Sequence, residues 1–315
     1  MSLNLCGTIG GNTGPIDCDV ARGIAMVPII GGKSFVAADY ATQAAFAAAL
    51  IAACKLATGN GNKLFPFPLS QDVAEKTPAN KEGTLGLGFT QTLLEGRPAY
   101  ETQVLIGQTQ FQNLRKWNRV IAPVFMLDDQ NNVWGKLNSD GSFVGLQAYI
   151  FVSGLPFGDG AKNITAKISI SFLSAADFND NCAYMGIPAN TTLTGLKNVV
   201  LTVNTGGHAS NVWHISANIL TAALGKKINL EQNGYAMLLA SAALWTASTP
   251  AGSLAITSVA DDPTNGGWTV TFNSAAYTAL AAATQITLSL ADPTTLDTAN
   301  VTGVECTTPV ICVTP

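Results

Sequence analysis

Between residues 119 and 152 the chain reads RVIAPVFMLDDQNNVWGKLNSDGSFVGLQAYIFV. Three apolar runs, 120–127, 133–137 and 143–152, are cut by two polar clusters, DDQNN and NSDG. Val, Ile, Phe, Tyr and Trp suit a pleated, half-buried surface, whereas Asp, Asn and Ser bond the local backbone and Gly accepts a positive φ. The pattern predicts a three-stranded β-meander with short turns. Two more strands are expected beside it, at 100–107 and 163–173. In the second, Ile164, Ala166, Ile168, Ile170 and Phe172 alternate with Thr165, Lys167, Ser169 and Ser171. Strict alternation puts one face in a core and leaves the other to solvent or to a neighbouring subunit.

One stretch breaks this period of two. Residues 39–57, DYATQAAFAAALIAACKLA, predict a helix: Asp39 can cap the first turn, Ala has the best helix propensity, and Gly59 and Gly61 end it. Tyr40, Ala44, Ala47, Ile51 and Cys54 fall on one stripe, while Phe46, Leu50 and Ala53 make the opposite side apolar too. With no charge between Asp39 and Lys55, the helix reads as buried all round, packed on the meander and covered by a neighbouring subunit or arm. Residues 1–35, rich in Gly with Pro15 and Pro28, read as an extended arm. Residues 60–84 hold Pro66, Pro68 and Pro78 and turn polar from Gln71, so they read as a long loop with a binding or inter-subunit role. Residues 84–94 return to strand. After Phe172, SAADFNDNCAYMGIPANTTLTG reads as a short helix and a linker.

From about Leu193 onward, strands are expected at 197–203, 212–219, 254–259, 268–272 and 285–290, with turns such as NTGG and DDPTNGG between some of them. Short strands with Gly, Pro and Asn turns predict a β-sandwich of immunoglobulin architecture, without the Cys…Trp…Cys spacing of true members. The expected class is mainly β: an arm over 1–35, a sandwich or barrel domain over 36–190 with helix 39–57 and loop 60–84, and an Ig-like sandwich over 191–315.

Composition changes this picture in one respect. Charged residues make up 11% of the 315, against about 25% in ordinary soluble domains. Buried centres of protein interfaces are depleted in Lys, Glu and Asp, so much of this surface is expected to meet other copies; the alternative is a secreted protein rich in Thr and Asn. A formal charge of −4 offers no nucleic-acid-binding surface and no basic membrane patch. The start MSLNLCGTIGG lacks the features of a signal peptide, and the apolar stretch 44–54 is shorter than the roughly 20 residues of a membrane span.

The search for chemistry ends in absences. The six cysteines form no CxxC pair; Cys306 and Cys312 are close enough in sequence to pair in an oxidising setting. His208 and His214 have no further metal ligand in phase. Asp128, Asp129, Asp140, Asp261 and Asp262 lie in turn clusters, where Asp is the expected residue. Neither GNTGP nor GLGF is followed by GK[ST], and no serine sits in GxSxG. The sequons at Asn163, Asn190 and Asn300 are what a Thr/Asn-rich chain gives by chance. The one basic cluster, Arg115, Lys116 and Arg119 around Trp117, suits an ion-pair site with a neighbour. No catalytic residue, cofactor or metal is assigned. The expected subunit-interface residues are Phe46, Leu50, Phe65, Phe67, Arg115, Lys116 and Arg119.

The segment VFMLDDQNNVWGKLNSDGSFVGLQAYIFV, followed by ITAKISISF, resembles in layout the tail tube proteins of tailed bacteriophages. At the far end, ALWTASTPAGSLAITSVADDPTNGGWTVTF and QITLSLADPTTLDTANVTGVE resemble the Ig-like modules appended to phage virion proteins. The resemblance is architectural, spans nearly the whole chain and transfers no functional residue. It implies a structural virion protein assembled in the host cytoplasm, its main partner being itself. Hexameric rings would stack into a tube beside other virion proteins, with DNA passing as non-specific cargo and no membrane involved. It also implies that the arm and the 60–84 loop bridge rings. Two other classes stay open: another virion component (capsid, decoration or fibre), or a bacterial surface or adhesion protein.

Overall fold

The alternation seen in the sequence is realised in a computed structural model that describes residues 4–5, 25–84, 90–154, 165–193, 195–205, 210–220, 227–301 and 303–314. The chain divides into two compact units. Unit 1 comprises Met1–Cys54 and Thr58–Gly195; unit 2 comprises Lys55–Ala57 and Leu196–Pro315. The fold is mainly β.

In unit 1 the elements are β1 (Asn4–Leu5), β2 (Ala25–Ile30), α1 (Gln43–Cys54), β3 (Phe65–Pro66), β4 (Ser70–Glu75), β5 (Lys81–Thr84), β6 (Thr90–Leu94), β7 (Ala99–Leu105), α2 (Gln108–Leu114), β8 (Val120–Asp128), β9 (Asn132–Leu137), β10 (Phe143–Val144), β11 (Leu146–Val152), β12 (Thr165–Phe172), α3 (Ala175–Asn179) and β13 (Cys182–Gly186). The expected meander is β8, β9 and β10–β11, and its flanking strands are β7 and β12. The pairings form a circuit: β8 with β11, β11 with β12, β12 with β7, and β7 with β4. The chain carries β4 back to β3, which pairs with β2, and β2 pairs with β8. The pairings thus run nearly full circle as an incompletely closed barrel, β3 and β4 being joined by the chain and not by a ladder.

Inward residues of β7, β8, β11 and β12 (Val104, Val124, Ile150, Ile168 and their neighbours) fill the barrel, and α2 and α3 add Phe111, Leu114 and Phe178. A second core lies on the outer side of β8, β9 and β13, where α1 packs. Four phenylalanines form its centre. Phe35 lies 5.0 Å from Phe46 and 5.7 Å from Phe125; Phe143 lies 5.7 Å from Phe46 and 5.5 Å from Phe125, centroid to centroid. Such ring pairs add about 0.5–1.5 kcal/mol each beyond area burial. Gly135 lets β9 pass under this cluster: a Cβ there would stand 2.6 Å from the Val144 carbonyl oxygen and 2.8 Å from the Phe143 ring.

Three expectations are corrected. The helix is shorter than 39–57, because the hydroxyl of Thr42 accepts the Ala45 N–H (3.1 Å), while Asp39 accepts the Val36 N–H instead (3.0 Å). The 60–84 stretch is not one loop. It holds β3 and the barrel strand β4, then β5, which forms a separate two-stranded hairpin with β6. Polar β4 has three exposed residues and pairs only with β7 among the described residues, so it lacks an apolar signature. The supposed linker after α3 is β13, buried on both faces: Cys182 and Tyr184 enter the barrel core, Ala183 and Met185 the core under α1. Of the N-terminal arm, β1 and β2 are strands, and the rest of residues 1–24 lies outside the described residues.

Unit 2 contains β14 (Lys197–Thr205), β15 (Val212–Leu220), β16 (Lys227–Asn229), β17 (Trp245–Thr249), β18 (Gly252–Ser253), β19 (Ile256–Asp262), β20 (Gly267–Phe272), α4 (Ser274–Thr278), β21 (Gln285–Leu290), α5 (Pro293–Thr298), β22 (Val304–Thr308) and β23 (Val310–Val313). One sheet runs β19-β20-β15-β14-β22 with β16 beside β15; the other runs β18-β17-β21-β23. They enclose a single core around Trp213, Trp268 and Phe272, with Trp213 against Phe272 edge to face at 4.7 Å. Cys306 and Cys312 are free thiols; β22 and β23, which carry them, belong to different sheets.

Candidate assembly surface

Alternation along β7, β8, β11 and β12 decides which side chains the barrel turns outward. Ile121 is 58% exposed, Leu105 51% and Phe151 39%, with half-buried Tyr149 between them. Registers set Ile121, Tyr149 and Phe151 side by side in a band, Tyr149 pairing with Ile121 on one side and Ser171 on the other and Phe151 with Ser169, while Leu105 stands apart from them opposite Thr165. Gln147, Thr165 and Gln103 fill the gaps, and one ion pair, Lys167 to Glu101 at 3.1 Å, crosses the band. The packing of α1 on β8, β9 and β13 leaves this band outside the core beneath the helix.

At one end of the band lies the basic cluster. Arg115 and Lys116 sit on a 3-10 turn, Arg115–Trp117, and Arg119 follows in the left-handed region (φ 64°) with its N–H donated to Ile150 O at 2.8 Å. A long side chain at positive φ is uncommon, and here the bond to β11 holds it. All three cations are exposed and, among the described residues, none is in an ion pair. Trp117 meets Phe65 edge to face at 5.0 Å, and the buried Lys63 ammonium lies 5.3 Å from the Phe65 ring centroid and donates to Cys54 O at 3.4 Å. Burial pushes the Cys54 thiol pKa up to about 12 against the smaller opposing effect of the Lys63 cation, so this sulfur is an inert core group.

The expected interface residues therefore separate. Phe65, Arg115, Lys116 and Arg119 come together at the surface. Phe46 and Leu50, both 0% exposed, and Phe67, 5% exposed, are enclosed by their own subunit and are not available to a neighbour. The reason is the orientation of α1: the side carrying Phe46, Leu50 and Ala53 faces the core, and the exposed side is polar Gln43 with the small Ala44, Ala48 and Ala52.

Turn chemistry accounts for the carboxylates. Asp128 is 3% exposed and accepts Trp134 Nε1–H at 2.7 Å and Asn132 N–H at 2.7 Å. Bonds from the Ser142 hydroxyl and N–H hold the Asp140 carboxyl below its usual range. In unit 2 a pair emerges that sequence reading did not foresee: His214 Nδ1 lies 2.6 Å from Asp262 Oδ2, from strands 48 residues apart in sequence. Thr269 Oγ1 and Asn265 Nδ2 also bond this oxygen, at 3.2 and 2.8 Å. The register pairing His214 with Thr269, and Asp262 with Gly267, creates the cluster. His208 lies outside the described residues. The described residues contain no group of three or more His, Cys, Asp or Glu placed to hold a metal ion, and no helix long and apolar enough to cross a membrane.

The Asn265 amide is the main cause that lowers the Asp262 carboxyl pKa, helped by His214 and Thr269 against the opposing effect of burial. A carboxyl depressed in the folded state contributes stability above its unfolded value, about 3.9, and that stability is lost as pH falls through the depressed value. Asp262→Asn is accordingly expected to flatten the acid limb of unit 2 unfolding below about pH 4. Thermal melts of both proteins across that range check this, and parallel acid limbs would contradict it.

No known protein family matches the chain, and neither a curated protein nor a solved structure matches it.

Proposed function

We propose that this chain is a structural, self-assembling virion protein whose copies form rings that stack as a phage tail tube for DNA passage, with unit 2, read as Ig-like, displayed on it. The observation that carries the reading is the outer band of the barrel, apolar at Ile121, Leu105 and Phe151 in a chain with only 11% charged residues. A lone soluble domain covers such a face with charge. The buried helix α1 no longer supports assembly; the band and the unpaired cations beside it do. The β5–β6 hairpin supports it further, because a two-stranded sheet is marginal in water unless something packs on it.

Negative-stain microscopy and light scattering of the purified chain test the proposal. Rings or rods are expected, and Ile121→Glu with Phe151→Glu is expected to leave folded, dispersed subunits. Monomers of the unaltered chain at high concentration would overturn it. Because Ser70–Glu75 belongs to the barrel wall, ring stacking is tested by shortening 81–94 alone. The separate core of unit 2 favours one second reading, a fibre, decoration or surface-adhesion protein, for which microscopy would show no tube.

A further inference from the structure

The outer strands of the unit 2 sandwich are protected unequally. An open sheet edge offers unpaired N–H and C=O groups to any extended strand, and proteins block this with charge, bulges or brevity. β18 has two residues. β19 carries Asp261 and Asp262 and an irregular register between Ile256 and Ser258. β22 carries Glu305 and pairs across a register shift at Val199 and Val200. β23, four residues long and preceded by Pro309, carries neither charge nor bulge. It is the uncharged run VICV in unbroken register with β21, its only partner strand among the described residues. Its outward side chains are apolar and open, Ile311 58% and Val313 50% exposed.

The direction of its backbone groups follows from the neighbouring bonds. Thr314 N–H donates to Thr284 O at 2.9 Å, and Ala283 N–H donates to Thr314 O at 3.2 Å. In an antiparallel ladder alternate residues face the same neighbour. Thr314, Cys312 and Val310 thus turn their backbone groups to β21, while Ile311 and Val313 turn theirs to the open edge. Pro309 precedes the strand and, lacking an N–H group, ends pairing on that side.

We infer that unit 2 associates with unit 2 of a second copy through β23, strand antiparallel to strand. The symmetric register places Ile311 opposite the second copy's Val313 twice over, so the outward apolar pairs match and both open backbone pairs close. A second copy is the favoured occupant because its strand has the same short reach and matches its open groups in this register, whereas a longer strand would leave a group unpaired over Pro309. The inference concerns unit 2 alone and does not depend on the tube reading. The same register sets the two Cys312 residues opposite each other as a non-hydrogen-bonded pair, with Cα atoms about 4.5 Å apart, inside the range a disulfide spans.

Mild copper-phenanthroline oxidation of the full-length Cys306→Ser chain, followed by digestion and mass spectrometry, tests this. A Cys312–Cys312 linked peptide is expected. It should fall at least tenfold in yield in Ile311→Lys with Val313→Lys, whose exposed positions leave the fold intact by circular dichroism. Unlinked Cys312 in the otherwise unaltered chain, or equal linkage in the lysine variant, overturns the inference; an Ile311→Thr, Val313→Thr variant, which keeps β-branched residues, should give an intermediate yield.

Discussion

Replacing Phe143 with alanine is expected to destabilise unit 1 by about 3–5 kcal/mol, a large part of the 5–15 kcal/mol that holds a typical domain. The ring is 0% exposed and touches Phe46 and Phe125 at 5.7 and 5.5 Å, while its backbone exchanges hydrogen bonds with Phe35, each 2.9 Å. Removing it leaves a cavity between α1 and the barrel wall, lined by other rings that are themselves locked by edge-to-face contacts and have little freedom to collapse. Urea titration followed by circular dichroism would show a lowered midpoint with an unchanged slope. Phe151→Ala, on the exposed band, is the control and should change the unfolding free energy by no more than about 0.5 kcal/mol. Equal shifts would mean that the four-ring cluster does not form.

The second large effect is expected at Gly267, where the problem is space and not backbone conformation. A Cβ on Gly267 would stand 2.1 Å from the Ile215 carbonyl oxygen, 2.9 Å from its carbon and 3.0 Å from Ser216 Cα. All three are backbone atoms of β15, so no rotamer change relieves the clash; β15 and β20 must separate where Ile215 pairs with Trp268. Gly267→Ala should therefore cost unit 2 the upper part of the about 1–3 kcal/mol typical of overpacking, or more. Near-ultraviolet circular dichroism on heating reports it directly, because Trp268 sits in the core beside that contact. Gly59→Ala, with nothing within 4 Å of its Cβ, should be neutral by comparison.

The sequence disclosed the strands that bury one face and concealed those that do not. β12 alternates cleanly and was legible from its period, while β11 was legible as an apolar run cut by turn residues. β13 was hidden because burial on both sides turns CAYM into a short apolar run with no period to read. β4 was hidden for the opposite reason, since a mostly exposed wall strand needs few apolar residues. The helix was located but its inward side was not, because alanine on every side makes apolar type a poor guide to which side carries the bulk. On the proposed assembly surface, Arg115, Lys116 and Arg119 stood out in the sequence by charge and spacing. Ile121 and Phe151 were missed, because an exposed apolar residue in a strand is indistinguishable in sequence from a buried one until the partner strands fix the register. The His214–Asp262 contact was likewise invisible, being made by two strands whose adjacency no local pattern states.

The double duty of β13 has a consequence for how unit 1 comes apart. Its successive side chains are shared between the barrel interior and the layer beneath α1, so neither compartment can be emptied while the other keeps its wall. A slip of one position would exchange Cys182 and Tyr184 for Ala183 and Met185 and spoil both compartments together. Helix and barrel are therefore expected to unfold together, in a single transition.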